Sequence, residues 1–324
     1  MGTVDLRIGT SGWNYPSGRG TWNGIFYPPS RGRAKGFDEL TFYAEHFNTV
    51  EVNSTFYGQP RPNVTRAWAE RTPQAFEFSV KLYQKFTHPK MFKQAYVKGV
   101  AAGDAGAEAM LDVLAKPNQS DLDEFKRGVD PLASSGKMGP LLAQFPPSFK
   151  SDQPSRDYLA WLLHAFAGYS VAVELRHATW SDSLGETLAL LNASDAALVQ
   201  IDEPKFRLSI RQNQLPNIRG VFYMRLHGRN AAQWWTHDKA EDRYNYLYSP
   251  NEVSEFVETL DAAREIVKKA YLYTNNHFSA KSVANAAMIK KQLGEPLEGD
   301  YSEEFLSRYP ELVPVAKAAV TPKS

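Results

Sequence analysis

The run VAVELRH at 171–177 decides how this chain is read. Ser170 to Leu175 has the composition of a short buried strand, and its end carries Glu174 and Arg176, two residues apart and therefore on one face of an extended chain. Five other apolar runs end the same way: Glu51 with Asn53, Ser79 with Lys81, Gln200 with Asp202, Arg225 with His227, and Asn275 with His277. A strand that only filled a core would place apolar side chains at those positions. If the runs are parallel strands of one closed barrel, the six pairs converge on its carboxyl-terminal mouth.

Eight β-like runs are marked along the chain: Leu6–Thr10, Thr49–Asn53, Phe76–Lys81, Leu141–Phe145, Ser170–Leu175, Ala197–Asp202, Val221–Leu226 and Ala270–Thr274. Helical spacing separates most of them, as in Leu40, Tyr43, Ala44 and Phe47, in Tyr158, Leu162 and Phe166, and in Leu184, Leu188 and Leu191. Ser249 and Glu252 form a capping box with Pro250 at the first helical position. A last helix runs from about Ala280 to Leu293, where Gly294 and Pro296 stop it. Strand and helix alternation calls for a parallel sheet, and eight repeats fit a (β/α)8 TIM barrel within the α/β class. The expectation is one domain over residues 1–295, with 92–118 as a mouth insertion or lid and 296–324 as a short C-terminal tail. Lys205 to Arg219 is expected as a hairpin or loop over the same face.

The 324 residues are 43% hydrophobic, enough for one large core, and the net charge of +1 argues against a protein that coats nucleic acid generically. Without cysteine there is no disulfide, thiolate zinc site or cysteine nucleophile. The opening MGTVDLRIGTSG lacks a signal-peptide pattern, and no run approaches membrane-spanning length. A cytoplasmic, membrane-free protein is expected, with its oligomeric state open.

Seven segments then carry a resemblance: IGTSGWNY at 8–15, TVEVNSTFY at 49–57, FEFSVKLYQKFTH at 76–88, GPLLAQFPPSF at 139–149, VAVELRHATW at 171–180, RLHGRN at 225–230 and TNNH at 274–277. In this order they resemble the YecE-like family, also called domain of unknown function 72, over about residues 5–294. The resemblance implies a TIM-barrel fold, distantly similar to endonuclease IV and xylose-isomerase-like barrels, without a settled activity. The long 92–118 segment and the tail beyond Pro296 depart from it.

Lys81, Arg176, Arg225 and Arg229, with His227 and His277, concentrate donors at one opening, and such a site wants an anion. Asn53, Gln144, Asp202, Asn275 and Asn276 are candidate polar contacts around it, the two asparagines where TIM barrels commonly hold phosphate. Glu51 and Glu174 are the candidate general acid and base, with His227 as proton shuttle. The competing structural reading is that Glu174 with Arg176, and Glu51 with Lys81, are ion pairs that close the barrel top. No cofactor is required, but a divalent metal on Glu174, Asp202 and His227 is possible. Trp13, Tyr57, Trp234, Trp235 and Tyr244 are candidate ring platforms. A serine triad is excluded for want of a GxSxG elbow. Three function classes remain. One is an enzyme of hydrolase or isomerase type acting on an anionic sugar, nucleotide or nucleic-acid substrate. The second is a non-catalytic nucleic-acid binder using the same basic mouth. The third is a glycosidase-like hydrolase using Glu51 and Glu174.

Overall fold

The computed structural model describes residues 4–31, 33–97, 105–212, 215–234, 240–314 and 316–318. Its main strands are β1 (Asp5–Thr10), β2 (Thr49–Val52), β3 (Glu77–Lys81), β4 (Met138–Gln144), β5 (Val171–Glu174), β6 (Ala197–Leu198), β7 (Gln200–Asp202), β8 (Val221–Leu226) and β9 (Lys269–Thr274). They form two sheets, ordered β2-β3-β4-β5-β6 and β1-β9-β8-β7, and every pairing within them is parallel. The chain is thus an α/β protein with parallel sheets.

Two junctions connect the sheets. At the first, Ser11 bridges Glu51 in parallel and the Gly12 amide donates to the Glu51 carbonyl at 2.8 Å. Gly9 is required there, because a Cβ would lie 2.2 Å from the Thr49 carbonyl oxygen. The second junction is the expected strand 197–202, which is split at Val199. Side-chain amides occupy part of its backbone edge: Gln212 accepts from the Ile201 amide at 2.9 Å and Asn217 from the Leu198 amide at 2.7 Å. Both come from the 205–219 stretch, which is irregular apart from a bridge between His177 and Ser209.

The Ser249 capping box is present, and the helix Pro250–Arg264 buries Val253, Phe256 and Leu260. The terminal helix, expected from about Ala280, runs Lys281–Gln292. Two helices had no clear periodic signal. Pro62–Glu70 packs on Gln119–Ser134, where Thr65 Oγ1 donates to the Gly128 carbonyl at 2.7 Å. In the 92–118 segment, the helices Pro89–Val97 and Ala105–Leu114 are tied by Lys93 and Asp112 at 2.7 Å, and residues 98–104 lie outside the described ones. In the tail, Ser302 caps the helix Glu303–Arg308, and Tyr301, Phe305 and Leu312 join the core. Burial of Phe305 and Leu312 contributes about 1.5–3 kcal/mol each. Among the described residues no helix is long and apolar enough to cross a membrane.

The space inside the strands is polar at several levels. Tyr271 donates to Glu77, Tyr273 shares hydrogen bonds with Thr49 at 2.6 Å and Ser79 at 2.8 Å, and Tyr223 donates to Glu51 at 2.8 Å. This column of rings, each hydroxyl partnered as a buried phenol requires, leads up to the carboxyl ends of the strands.

Candidate functional site

A cavity of about 900 Å3 opens at those carboxyl ends. Lys81 enters it from the end of β3, Gln144 from β4, Arg176 from just beyond β5 and Arg225 from β8. Asn53 follows β2 and Asn275 and His277 follow β9, so residues from both sheets share the wall. Trp13, Tyr57 and Tyr244 supply rings. Ten of the expected site residues therefore meet at one opening.

Arg225, at the floor of the cavity and itself 1% exposed, centres a buried charge cluster. Its guanidinium grips Glu51 in a fork at 2.9 and 2.7 Å, contacts Glu174, and reaches Gln144 at 3.1 Å. Glu51 also accepts from Ser11 and Tyr223. Glu174 accepts from Arg176 Nε at 2.7 Å, and Arg176 turns its other face to Glu203 at 3.1 Å. Burial works against charge on both acids. The guanidinium of Arg225 and the hydroxyls still hold Glu51 below the usual carboxylate range, while Arg176, Arg225 and His227 hold Glu174 well below it.

These contacts correct the catalytic assignment. Glu51 and Glu174 are fully buried, ionised and committed to arginines, so neither is placed to exchange a proton with a ligand in the cavity. His227 also lies below the wall, 1% exposed, with Nε2 3.1 Å from Arg176 and Nδ1 2.9 Å from the Asn275 amide. Burial, with the nearby arginines, pushes its pKa down to about 4, so the ring is neutral at pH 7 and braces Arg176. The structural reading of Glu174 with Arg176 holds, but Glu51 pairs with Arg225 instead of Lys81.

Asp202, Arg229, Asn276 and Trp234 also stand outside the cavity lining. Asp202 is taken by Arg229, whose Nε and one terminal nitrogen approach it at 3.0–3.1 Å, and by the Tyr248 hydroxyl at 2.8 Å. Arg229 continues to Glu252 at 3.3 Å and Glu255 at 2.8 Å, so this pair anchors the helix Pro250–Arg264. Asn276 is buried against the Tyr246 carbonyl and Asn285. Trp234 is 4% exposed and supports Arg243, whose guanidinium lies 5.5 Å from its ring centre, while Trp235 lies outside the described residues. Of the three groups considered for a metal, His227 Nε2 lies 3.5 Å from Glu174 while the Asp202 carboxylate is held apart by Arg229 and Tyr248, and no group of three His, Asp or Glu among the described residues is arranged to hold a metal.

Lys81 differs from its neighbours. Its Nζ sits 4.2 Å from the centre of the Phe56 ring, and it has no hydrogen-bond or ion-pair partner among the described residues. Burial above all, and then the charge of Arg225, lowers its pKa to about 7, with Glu174 and Glu51 pulling the other way. Arg243, which the sequence reading missed, likewise lines the cavity without a carboxylate partner among the described residues. So do Tyr15 and His88 line it. Tyr15 stacks on His277 with centroids 4.3 Å apart and planes at 9°, and Tyr244 closes on the other contact of that ring at 4.9 Å. Burial and the nearby Lys81 and Arg176 push His88 down to about 3. No Asp or Glu is among the described residues that line the wall.

The wall matches the resemblance read from the sequence, and residues 7–306 fit the family described as protein of unknown function DUF72. The chain belongs to the DUF72 family. UPF0759 protein YunF of Bacillus subtilis is 28% identical over 309 residues, spanning 92% of this chain and 96% of that protein. UPF0759 protein YecE of Escherichia coli matches more locally, 42% identical over 53 residues, 16% of this chain and 20% of that protein. A crystal structure of a DUF72 family protein from Thermotoga maritima superposes with a TM-score of 0.71 at 29% identity, covering 90% of this chain and all of that one. A DUF72 family protein from Enterococcus faecalis gives 0.72 at 22% identity, over 91% and 98% of the two chains, which speaks to the fold alone. No activity, substrate or catalytic residue comes to this chain with the DUF72 name.

Proposed function

We propose that the cavity is the working site of an enzyme that binds a small phosphate- or carboxylate-bearing ligand, a sugar derivative or nucleotide in size, with Lys81 as its proton-exchanging group. One observation carries this reading: the wall holds Lys81, Arg176, Arg225 and Arg243 and no described carboxylate, and Lys81 Nζ ends there over the Phe56 ring with no hydrogen-bond or ion-pair partner among the described residues. Arg243, whose charge is permanent and which has no carboxylate partner among the described residues, holds the anion; Lys81 exchanges the proton. Acid–base work thus moves from Glu51 and Glu174 to Lys81, and the two acids become the buried supports of Arg225 and Arg176. This counts against the glycosidase reading, which needs both carboxylates beside the ligand. We also take the two sheets to be halves of one (β/α)8 ring, joined at Ser11–Glu51 and through Val199, with 92–118 as the insertion beside its mouth. Convergence of both sheets on one cavity supports this.

Calorimetric titration with sulfate tests the site, since sulfate keeps its charge across the pH range where Lys81 changes. Affinity is expected to fall between about pH 6 and about pH 9 as Lys81 loses its proton, and Lys81→Met is expected to flatten that profile. Absence of sulfate binding at about pH 6 would overturn the proposal. Tight, steeply salt-dependent binding of oligonucleotides that ignores Lys81→Met would favour the non-catalytic nucleic-acid reading instead.

A further inference from the structure

We propose that Lys81 is a nucleophile that forms an imine with a small aldehyde or ketone carrying a phosphate or carboxylate group. The inference rests on the anion-binding reading of the cavity and names the substrate class and the bond that site would make.

Its basis is the contrast between how Lys81 is held and what its amine touches. The backbone is clamped: Thr55 Oγ1 donates to the Lys81 carbonyl at 2.6 Å, β3 is paired on both sides, and the next amide, Leu82, donates to Leu142 at 2.9 Å. The side chain crosses the Phe56 ring and ends in the cavity with no carboxylate, carbonyl or hydroxyl bonded to Nζ among the described residues. A lysine meant only to neutralise an anion would gain from a nearby acid that keeps it charged. Here the acids of the cluster, Glu51, Glu174 and Glu203, are spent on Arg225 and Arg176. Those two arginines face Lys81 as like charges, and a desolvated lysine beside other cations is the setting in which an amine is available unprotonated at neutral pH. Arg243, which lines the same cavity without a carboxylate partner among the described residues, offers a seat for an anion, so a carbonyl compound with an anionic group would be drawn into the space that Nζ enters.

The step needs no reagent beyond the two partners and water. The Nζ lone pair attacks the carbonyl carbon, the C=O π pair moves to oxygen, and the nitrogen proton passes to that oxygen, giving a carbinolamine. Protonation of the hydroxyl by a proton from solvent at the open mouth releases water, and the nitrogen lone pair closes C=N. Deprotonation or retention of the proton on nitrogen then gives the neutral or protonated imine, and hydrolysis runs the sequence backwards.

The test uses the full chain with glyoxylate as the anionic aldehyde and acetaldehyde as the neutral one, each trapped with sodium cyanoborohydride at about pH 7 and mapped by peptide mass spectrometry. Exposed Lys35 and Lys150 serve as internal references. Lys81 is expected to be alkylated by glyoxylate at least about tenfold faster than either reference, since an ordinary lysine is almost wholly protonated at that pH. Acetaldehyde is expected to show a smaller preference, and excess sulfate to suppress the Lys81 adduct. Lys81→Arg is expected to lose the selective adduct while Lys35 and Lys150 react as in the wild type. If Lys81 reacts no faster than Lys35 and Lys150 while sulfate still binds, the imine proposal falls and the anion site stands. If sulfate neither binds nor protects, both fall.

Discussion

Replacing Arg225 by methionine removes the one cation that two buried carboxylates share while leaving a side chain of comparable reach. In the native protein that guanidinium makes a fork to Glu51 at 2.9 and 2.7 Å, a contact to Glu174 and a bond to Gln144 at 3.1 Å, with Arg225, Glu51 and Glu174 each 1% exposed or less. Stranding one buried charge by removing its partner costs about 3–5 kcal/mol. Glu174 keeps Arg176, but Glu51 keeps only the hydroxyls of Ser11 and Tyr223, so the expected loss at pH 7 is at least about 3 kcal/mol, read from urea denaturation followed by circular dichroism. The pH dependence carries a sign. The native pKa values of Glu51 and Glu174 are depressed, so their contribution is present above the unfolded carboxylate pKa and is lost as pH falls through the native values. In Arg225→Met the pKa of Glu51 rises, and it can take up a proton as pH falls. The gap between variant and wild type should therefore narrow below about pH 5. Adding Glu51→Gln to Arg225→Met should recover part of the loss at pH 7. A loss under about 1 kcal/mol, or one that ignores pH, would refute the view that Arg225 exists to neutralise these acids.

Lys81→Met should stabilise the protein. Its native pKa lies below the unfolded one, so the cost of burying the ammonium is fully felt below about pH 7 and fades as pH rises towards about 10.5. Discounting for the half-buried side chain, a gain of about 2 kcal/mol near pH 6 that shrinks towards pH 10 is expected in the same denaturation assay. Tyr244→Ala, read by calorimetry, should weaken binding of a ring-bearing anion such as a mononucleotide by about tenfold while sparing sulfate, because the ring contributes stacking and no charge. Ala280→Gly should raise the melting temperature slightly, by up to about 1 kcal/mol in stability, since Ala280 occupies the left-handed region at φ 61° beside Ser279 at φ 53°.

The strands were legible because each apolar run is bounded by turn residues and polar pairs, and Val221–Leu226 has the same bounds in the structure. The capping box at Ser249 was legible for the same reason: a local chemical pattern fixes a local geometry. The side on which each mouth residue ends up was only partly legible. Spacing by two put Asp202 on the mouth face, but the strand ends at Asp202, and it is the next residue, Glu203, that contacts Arg176. Alternation cannot tell whether an acid at a strand end faces a ligand or an arginine three strands away, which is why Glu51 and Glu174 read as catalytic. Arg243 and His88 were missed because neither sits on a periodic element: one lies within the 3-10 turn Ala240–Tyr244 and the other follows the four-residue helix Gln84–Thr87.

The central claim is that the cavity is an anion site whose one titrating cation is Lys81. The most direct measurement is the pH titration of the Lys81 13Cε and 15Nζ resonances, assigned by their loss in Lys81→Arg, with and without sulfate. The account predicts a midpoint of about 7 that moves upward when sulfate binds, since an anion favours the charged amine. A midpoint near 10, unmoved by sulfate, would contradict it.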